Sequence, residues 1–423
     1  MLVEMSVANF RSLRGAQVFS LVKGKGEELL ETNTFNVSAA NDFQLLRSAA
    51  IYGPNASGKS NYLKALQIMK HIVLESAASQ QRGDHLPVTP FRLSPVTRNA
   101  PSEFEVTFIV EGVRYQYGFS VTAEQVFEEW LLAYPKGRAQ RWFTRQWIAE
   151  KKQYKWELGS SLSGEKQLWQ KSTRDNALFL STAVQLNSAQ LQPVFDWFKS
   201  TLRLANVGGW GPTFSASLCE NDEKANVLEF LHAADIHIDD ILVETKAFAP
   251  TDLPDDMPDA LRDVIIGEMK GQKTREIKTV HNDSDGKPVL FDFKDESDGT
   301  QKLFSFAGPW IDALKNGYVL FIDELHDNLH PRLVRFLVEL FHSPETNPKN
   351  AQLVFTTHET SILNQEVFRR DQVWFCEKNK AQATDIYPLT DFSPRKGREN
   401  LELAYLSGRY GALPFVKKMR STL

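Results

Sequence analysis

Short apolar runs that end in turn or charged residues recur in two parts of the chain. The first run, Ala49–Tyr52, precedes a glycine-bearing turn and then a helical spacing of apolar residues that extends to Val73. Three more runs lie late in the chain, at residues 319–322, 353–356 and 373–376. Short apolar runs between turn signals are typical of buried strands, and helices between them favour a parallel sheet. The pattern therefore predicts an α/β fold.

Alternating and helical spacings predict further elements along the rest of the chain. The predicted strands and hairpins lie at residues 2–8, 16–21, 103–121 and 140–158. The predicted helices lie within residues 165–200, 222–235 and 331–342. The predicted connections are a mobile segment at 205–220 and an exposed loop, rich in Pro and Asp, at 249–260.

The composition excludes several classes of protein. Of 423 residues, 42% are hydrophobic, which is ordinary for a globular chain with a sizeable core. The 49 basic and 53 acidic side chains give a net charge of −4. This balance excludes a histone-like binder but leaves room for a local basic patch. No apolar stretch is long enough for a membrane helix, and no signal peptide is evident, so we expect a cytoplasmic protein without a membrane partner.

The turn after the first apolar run carries the motif G-x-x-x-x-G-K-[ST]. Its residues are candidate nucleotide ligands: Gly53, Pro54, Asn55, Ala56, Ser57, Gly58, Lys59 and Ser60. The backbone N–H groups of such a loop surround phosphate oxygens at the positive end of the following helix. Lys59 would reach the β and γ phosphates, and Ser60 would supply a hydroxyl to Mg²⁺. The predicted cofactors are ATP and Mg²⁺.

The apolar run at 319–322 ends in two carboxylates, which is a Walker B pattern. Asp323, at the end of a buried strand, is a candidate ligand of Mg²⁺ or of its water. Glu324 is placed to polarise an attacking water and is a candidate catalytic residue. Together with the P-loop, this pair predicts an ATPase.

Two further motifs resemble those of ABC-type ATPases. The segment Ser297-Asp-Gly299-Thr-Gln, shortly before the Walker B strand, resembles the signature motif. In that motif a serine hydroxyl and glycine amides meet the γ-phosphate of a nucleotide on the partner subunit. His358, after two threonines, resembles the switch histidine that contacts the γ-phosphate. The resemblance assigns Ser297 and Gly299 to nucleotide binding and His358 to catalysis.

The order of these motifs resembles the ABC ATPase superfamily, in the branch that includes RecF, Rad50 and SMC heads. Asn9-Phe-Arg-Ser12 matches the N-F-R-S motif of that branch, which makes Arg11 a candidate nucleotide ligand. The resemblance implies an α/β P-loop ABC-type ATPase head with an inserted β-hairpin lobe and a helical lobe. It also implies a homodimer or higher homo-oligomer. The signature is SDGTQ rather than LSGGQ, which predicts slow or partner-stimulated hydrolysis.

Several segments resemble small prokaryotic ATPases of defence and abortive-infection operons, of the RloA or AbiL type. These segments are GPNASGKSN, DELHDNLHP, TTHE and the closing run from Tyr405 to Pro414. The resemblance implies a nucleotide-driven switch that controls an effector, such as a nuclease or toxin, encoded nearby. Asp327-Asn328 would form the D-loop, and Gln116 is a candidate for the Q-loop glutamine.

The long separation between Walker A and Walker B predicts three parts of the chain. Residues 1–160 would hold the N-terminal half of the ATPase head with Walker A and a β lobe. Residues 161–285 would form an inserted helical lobe with its connections. Residues 286–423 would hold the C-terminal half with the signature, Walker B and the switch histidine.

Two alternatives stay open from the sequence. Residues 134–157 interleave basic and aromatic side chains. They suit either a grip on nucleic acid or a solvated edge strand whose aromatics face a core, and we favour the edge strand. The expected function is a defence ATPase. A RecF-like DNA-repair ATPase that binds DNA directly and a scaffold that uses ATP only to assemble are the alternatives, so nucleic acid remains a candidate partner.

Overall fold

The computed structural model contains the predicted strands and helices together with several strands that the sequence patterns did not predict, and it has a helix at Thr213–Cys219, within the segment predicted as a connection. The model describes residues 1–37, 43–205, 209–247, 257–258, 262–263, 266–267 and 273–414. The strands are β1 (Leu2–Ala8), β2 (Gln17–Ser20), β3 (Thr34–Val37), β4 (Phe43–Leu46), β5 (Ser48–Tyr52), β6 (Ser102–Val110), β7 (Val113–Val121), β8 (Val126–Tyr134), β9 (Gln140–Ile148), β10 (Gln153–Leu158), β11 (Leu202–Leu204), β12 (Asp240–Ala247), β13 (Lys273–Asn282), β14 (Pro288–Asp292), β15 (Val319–Ile322), β16 (Gln352–Thr357), β17 (Val373–Lys378) and β18 (Thr384–Pro388). The helices are α1 (Leu30–Asn33), α2 (Lys59–Glu75), α3 (Lys166–Ser172), α4 (Phe179–Gln185), α5 (Gln192–Asp196), α6 (Thr213–Cys219), α7 (Lys224–Ala233), α8 (Asp298–Asn316), α9 (Pro331–His342) and α10 (Leu401–Leu406).

The four apolar runs lie side by side in a six-stranded sheet. Its order is β11-β15-β16-β5-β17-β18, and every neighbouring pair is parallel except β17 with β18. Every residue of β5, β15 and β16 is buried, which explains why these strands are continuous apolar runs in the sequence. The predicted α/β fold is confirmed. Because parallel strands end at the same edge, the loops after β5, β15 and β16 come together there.

A seven-stranded antiparallel sheet holds the predicted hairpins. Its order is β10-β9-β8-β7-β6-β1-β2, so the hairpins predicted at 103–121 and 140–158 are confirmed. One hydrophobic core joins this sheet, the six-stranded sheet and α2. Phe104, Ile51 and Leu66 are examples from the three elements, and each is fully buried. This packing fixes α2, and therefore the loop before it, on a rigid base.

The chain separates into two compact units. The first comprises Met1–Gly208, Ala313–Asp327 and Val334–Leu423, and the second comprises Gly209–Asp312 and Asn328–Leu333. Instead of long helices, residues 165–200 form α3, α4, α5 and a π-helical turn at Trp197–Thr201, all within the first unit. The second unit contains α6, α7, most of α8 and the three-stranded sheet β12-β13-β14.

The predicted division into two halves of an ATPase head and an inserted lobe stays a prediction. The loop predicted at 249–260 lies almost wholly outside the described residues. In the described part of the chain, no helix combines the length and the apolar character that crossing a membrane requires.

The basic and aromatic segment at 134–157 has the features of the favoured edge-strand interpretation. β10 is the last strand of its sheet, and its residues alternate between exposed and half-buried. Tyr154 and Trp156 pack against the guanidinium of Arg145, which is itself fully buried and paired with Glu129. Arg145 is therefore a structural residue, and reversing its charge would test folding rather than nucleic-acid binding.

A buried histidine gives the first unit a predicted acid sensitivity. The Nε2 atom of His342, at the end of α9, lies 2.7 Å from Oγ of Ser48, and burial lowers the pKa of this histidine to about 3. The unfolded chain would protonate it near its ordinary pKa of 6.5. Stability should therefore be fully present above pH 6.5 and fall as the pH drops towards 3, at about 1.4 kcal/mol per pH unit.

Chemical denaturation between pH 7 and pH 4 measures this effect, which should reach about 3 kcal/mol. The variant His342→Gln should show a shallower pH dependence, whereas His85→Gln, at an exposed position, should not. An unchanged slope in His342→Gln would show that other groups cause the acid sensitivity.

Candidate nucleotide-binding site

The loop between β5 and α2 requires glycine at both of its ends. A Cβ atom on Gly53 would lie 2.2 Å from the carbonyl oxygen of Cys376. Gly58 has a φ of 115°, and a Cβ there would lie 2.1 Å from Oγ1 of Thr384. Any other residue would clash at both positions, so the glycines of the motif follow from close packing. α2 begins at Lys59, immediately after Gly58 at the end of the loop.

Lys59 is folded onto the loop that precedes it. Its side chain is buried, and the residue is only 5% exposed. Nζ donates to the carbonyl oxygens of Gly53 at 2.7 Å and Pro54 at 3.2 Å, and it lies 3.2 Å from Nε2 of His358. Burial lowers the pKa of the lysine, so a nearby anion would be favoured as a counter-charge.

The other loop residues present backbone and small polar groups. Asn55 and Ala56 are exposed, and Ala56 has a φ of 62°, a left-handed conformation of the kind that curls a backbone around an anion. The hydroxyl of Ser57 is buried next to the thiol of Cys376 and adds a small polar group to the loop.

The Walker B carboxylates are positioned by a threonine that the sequence analysis did not assign. Oγ1 of Thr356, on β16, donates to Oδ1 of Asp323 at 2.6 Å and accepts from the backbone N–H of Glu324 at 2.8 Å. Glu324 has a φ of 56°, which turns the chain sharply at the end of the strand. Its carboxylate is about half exposed. One hydroxyl thus orients both acids.

We expect Thr356→Val to lower the ATPase rate by about 10- to 100-fold, because it removes both hydrogen bonds while keeping the side-chain volume. The Mg²⁺ concentration needed for half-maximal activity should rise as well, since Asp323 loses its orientation. Thr356→Ser retains the hydroxyl and is the matched control. If valine and serine behave alike in a steady-state ATPase assay, the hydroxyl does not position the acids.

His358 lies between the loop lysine and the Walker B acid. Its Nε2 atom is 3.8 Å from Oε1 of Glu324 and accepts from Lys59. Burial, followed by the charge of Lys59 and the proximity of His326, lowers the pKa of His358 to about 4. The imidazole is therefore neutral at physiological pH, with its proton on Nδ1. The structure brings together Lys59, Glu324 and His358, as the motifs predict.

His326 is a neighbour of this group that the sequence analysis missed. Its ring lies edge-on to that of His358, with 5.5 Å between centroids, and its Nδ1 atom is buried without a partner among the described residues. The only signal in the sequence was its place two residues after Glu324. A lone histidine in that place matches no motif, so no pattern in the sequence singled it out.

The oxygen donors near the loop suit magnesium. Ser60 lies in the first turn of α2, and Asp323 follows β15. A hydroxyl and a carboxylate are hard oxygen ligands, which Mg²⁺ prefers. No cluster of three or more His, Cys, Asp or Glu side chains suited to a metal is found among the described residues. Ser60 and Asp323 supply two oxygen donors, and Mg²⁺ takes its other ligands from phosphate and water.

The N-F-R-S turn touches the end of the P-loop through its serine. Oγ of Ser12 accepts from Nδ2 of Asn61 at 2.8 Å and lies 2.8 Å from Oγ1 of Thr384. The same threonine hydroxyl lies 2.7 Å from the carbonyl oxygen of Ser57. Arg11 is exposed and has a φ of 50°. Its role as a nucleotide ligand stays a prediction.

The signature residues belong to the second unit. Ser297 precedes α8, and its Oγ accepts from the backbone N–H of Thr300 at 3.2 Å, as an N-cap does. A Cβ on Gly299 would lie 3.5 Å from the carbonyl oxygen of Asn328, so the predicted signature and the second residue of the predicted D-loop are neighbours within this unit. Their action on a nucleotide of a partner subunit stays a prediction.

Gln116 does not lie in a loop. It occupies β7, where its Oε1 accepts a hydrogen bond at 3.0 Å from the hydroxyl of Tyr134 on the neighbouring strand. A side chain engaged within a sheet has a structural partner already. The structure therefore gives no support to Gln116 as the Q-loop residue.

Comparison with known proteins gives one family. Residues 48–364, more than half of the chain, match the model of the family described as "AAA domain, putative AbiEii toxin, Type IV TA system". The match confirms the prediction, made from the motifs, that the chain belongs to an ATPase family. A comparison with curated proteins finds no significant match.

Several solved structures of SMC heads are similar to this chain at low identity. The SMC head domain from Thermotoga maritima has 12% identity and a TM-score of 0.38, with 92% of this chain and 98% of that chain covered. An Smc head bound to the C-winged helix domain of ScpA has 14% identity and a TM-score of 0.37, with 92% and 97% covered. An Smc head with an extended coiled coil, bound to the C-terminal domain of ScpA derived from Pyrococcus furiosus, has 12% identity and a TM-score of 0.38, with 92% and 96% covered.

Proposed function

This chain belongs to the AAA-domain family matched above, and from that premise we propose that it is an Mg²⁺-dependent ATPase that works as a nucleotide-driven switch. One observation carries the proposal. Nζ of Lys59 and Oε1 of Glu324 lie 3.2 Å and 3.8 Å from the same atom, Nε2 of His358. A cation, a neutral imidazole and a carboxylate thus lie next to one another at the edge of the parallel sheet where β5, β15 and β16 end.

Each of these residues has a distinct task in the proposed reaction. Lys59 would turn its charge towards the β and γ phosphates, exchanging loop carbonyls for phosphate oxygens. Glu324 would orient the attacking water and accept its proton. His358, neutral at its lowered pKa, would contact the γ-phosphate once Lys59 has turned towards the phosphates and no longer donates to its Nε2. Mg²⁺, when bound, neutralises phosphate charge, and Ser60 with Asp323 would hold it.

The biological role we propose is anti-phage defence by abortive infection. The family description names a toxin of a type IV toxin–antitoxin system, and the segments GPNASGKSN and DELHDNLHP resemble defence ATPases. In this role the ATP state would hold or release an effector encoded beside the gene.

The test of this role combines gene context with a pull-down. The product of the neighbouring gene should co-purify with the tagged chain in one nucleotide state and dissociate in the other. Phage challenge of cells that carry both genes should show protection that is lost with Lys59→Ala. Protection without any nucleotide-dependent partner would contradict the switch.

Mixing of two inactive variants tests whether Ser297 acts across a dimer. In the proposed arrangement, each site takes Lys59 from one chain and Ser297 from the other. A Lys59→Ala homodimer and a Ser297→Arg homodimer each contain two damaged sites. A mixed dimer concentrates both lesions in one site and leaves the other intact, so part of the ATPase activity should return.

The ATPase rate is measured against the mixing ratio, with subunit exchange followed by two different tags. Recovery should be greatest near equal amounts. If tagged mixed dimers form and no activity returns, the composite site is wrong. Binding of ATP by the P-loop is tested separately, with the Lys59→Ala variant alone.

A further inference from the structure

The closing run, Tyr405–Pro414, resembles the defence ATPases but has no part in the proposed reaction. Its first residue packs against the strand end that leads into the P-loop. The ring of Tyr405 stacks on that of Phe375, with 5.3 Å between centroids, and lies edge-on to the ring of Tyr52 at 5.9 Å. Tyr52 is the last residue of β5, immediately before Gly53. The closing run therefore contacts the residue at the entrance of the phosphate loop.

Hydrogen bonds fix the closing run against β17 and β18. The hydroxyl of Tyr405 donates to the carbonyl oxygen of Ala412 at 2.8 Å, which closes the run on itself. The hydroxyl of Tyr387, on β18, donates to the carbonyl oxygen of Tyr410 at 3.0 Å. The backbone N–H of Ala412 donates to Oε2 of Glu377, on β17, at 2.7 Å. Tyr405 is buried, so its ring is a fixed support.

α10, which leads into the closing run, also holds the loop that carries His358. Glu402 lies in the first turn of α10, and its Oε1 accepts a hydrogen bond from Oγ1 of Thr360 at 2.8 Å. Thr360 is two residues after His358. On the other side of the loop, the backbone N–H of Glu359 donates to Oγ1 of Thr357, the last residue of β16, at 3.0 Å. His358 thus lies between an anchor on the sheet and an anchor on α10.

Tyr52 lies next to both anchored segments. Its hydroxyl is fully buried and has no hydrogen-bond partner in the part of the chain that the structure describes. Burial raises the pKa of Tyr52 well above its ordinary value, and the nearby Glu359, Tyr405 and Glu402 raise this pKa further. The phenol therefore keeps its proton beside two carboxylates. The entrance of the P-loop and the loop of His358 accordingly meet at α10, although they follow different strands.

We propose that Glu402 and Tyr405 are positioning residues of the ATPase, an inference that rests on the proposed function. Glu402, through Thr360, would hold His358 where the γ-phosphate lies. Tyr405, through Tyr52, would hold the start of the P-loop. The γ-phosphate is present in ATP and absent from ADP, whereas the P-loop cradles phosphates that both nucleotides carry. A displacement of about 1 Å can slow a reaction by about 100-fold, so neither side chain needs to touch the nucleotide.

The first test compares Glu402→Leu with Glu402→Gln in steady-state turnover and in titrations with ADP and with a non-hydrolysable ATP analogue. Leucine removes the acceptor for the Thr360 hydroxyl, whereas glutamine retains one. For leucine we expect about tenfold slower turnover and about threefold weaker binding of the ATP analogue, with unchanged binding of ADP. Glutamine should retain most of the turnover. Thr360→Val removes the donor and should reproduce the leucine result, and the double variant should be no worse than either single variant.

Tyr405→Leu tests the contact with Tyr52. It should weaken binding of ADP and of the ATP analogue alike, by about threefold, because the P-loop binds phosphates that both carry. Tyr405→Phe keeps the stacked ring, loses only the hydrogen bond to Ala412 and is the matched control. Thermal unfolding of every variant distinguishes lost positioning from lost fold. If Glu402→Leu does not fold, Thr360→Val tests the same hydrogen bond.

The role of Glu402 is overturned if the leucine and glutamine variants behave alike, or if Glu402→Leu weakens ADP binding as much as binding of the ATP analogue. Effects of Glu402→Leu and Thr360→Val that simply add would overturn it as well. Wild-type nucleotide affinities in Tyr405→Leu would overturn the role of Tyr405. A wild-type protein that neither binds nor hydrolyses ATP would refute the proposed function itself, a result distinct from unaffected variants of an active enzyme.

Discussion

Lys59→Ala should abolish ATP turnover and weaken ATP binding by about 100-fold or more, because charge-assisted hydrogen bonds to phosphate contribute roughly 1.5–3 kcal/mol each. The ammonium already lies within the loop, bonded to the carbonyl oxygens of Gly53 and Pro54. Its residue is 5% exposed, so little water screens its charge. Alanine leaves the loop without a cation to face the triphosphate.

Isothermal titration with ATP and a steady-state ATPase assay measure the two effects of this substitution. Lys64→Ala removes a lysine of the same helix that is half-exposed and has no assigned part in the site, so it serves as the matched control. Thermal unfolding of both variants distinguishes lost chemistry from lost fold. Normal turnover in a folded Lys59→Ala protein would refute the P-loop assignment.

Glu324→Gln should keep ATP binding and lower the turnover number by roughly 100- to 10,000-fold, the range that removal of a general base produces. The amide has nearly the shape of the carboxylate but cannot accept a proton from water. The hydrogen bond from the backbone N–H of Glu324 to Thr356 does not involve the replaced atoms, so the turn should persist. The ATP-bound state should accumulate as a closed dimer.

Gel filtration with and without ATP, together with a single-turnover assay, measures this result. Glu366→Gln changes an exposed acid beyond the end of β16 and should behave as wild type. A Glu324→Gln protein that hydrolyses ATP at the wild-type rate, with no change in elution, would show that another group activates the water. Loss of ATP binding would instead indicate that the carboxylate holds the metal.

The two units place limits on what the motif order could predict. The sequence placed Walker A, the signature, Walker B and the switch histidine in one order along the chain. The structure assigns Ser297 to the second unit and Lys59, Glu324 and His358 to the first. Motif order carries no information about which residues pack into one unit, because that depends on contacts between distant segments.

Side-chain partners are the part of the site that the sequence could not supply. Thr356 was visible only as a residue before His358, and its two hydrogen bonds to the Walker B turn require that β15 and β16 be neighbours. His326 became a candidate only when its ring was found beside His358. Arg11, Arg92 and Lys378 line one cavity although they lie far apart in the sequence, so no local pattern could group them.

The sequence by itself determined the four apolar strands of the parallel sheet, the hairpins at 103–121 and 140–158, the helix after the P-loop and the position of the G-x-x-x-x-G-K-S loop. Their signals are local in the sequence: unbroken apolar runs mark β5 and β15, and the motif from Gly53 to Ser60 marks the loop. Only the tertiary structure decided that Arg145 is a buried ion-pair partner rather than a surface cation, and that Arg11, Arg92 and Lys378 share a pocket. The physical reason is that burial and charge pairing are set by segments far apart in the chain, whereas strand and loop signals are set by neighbours.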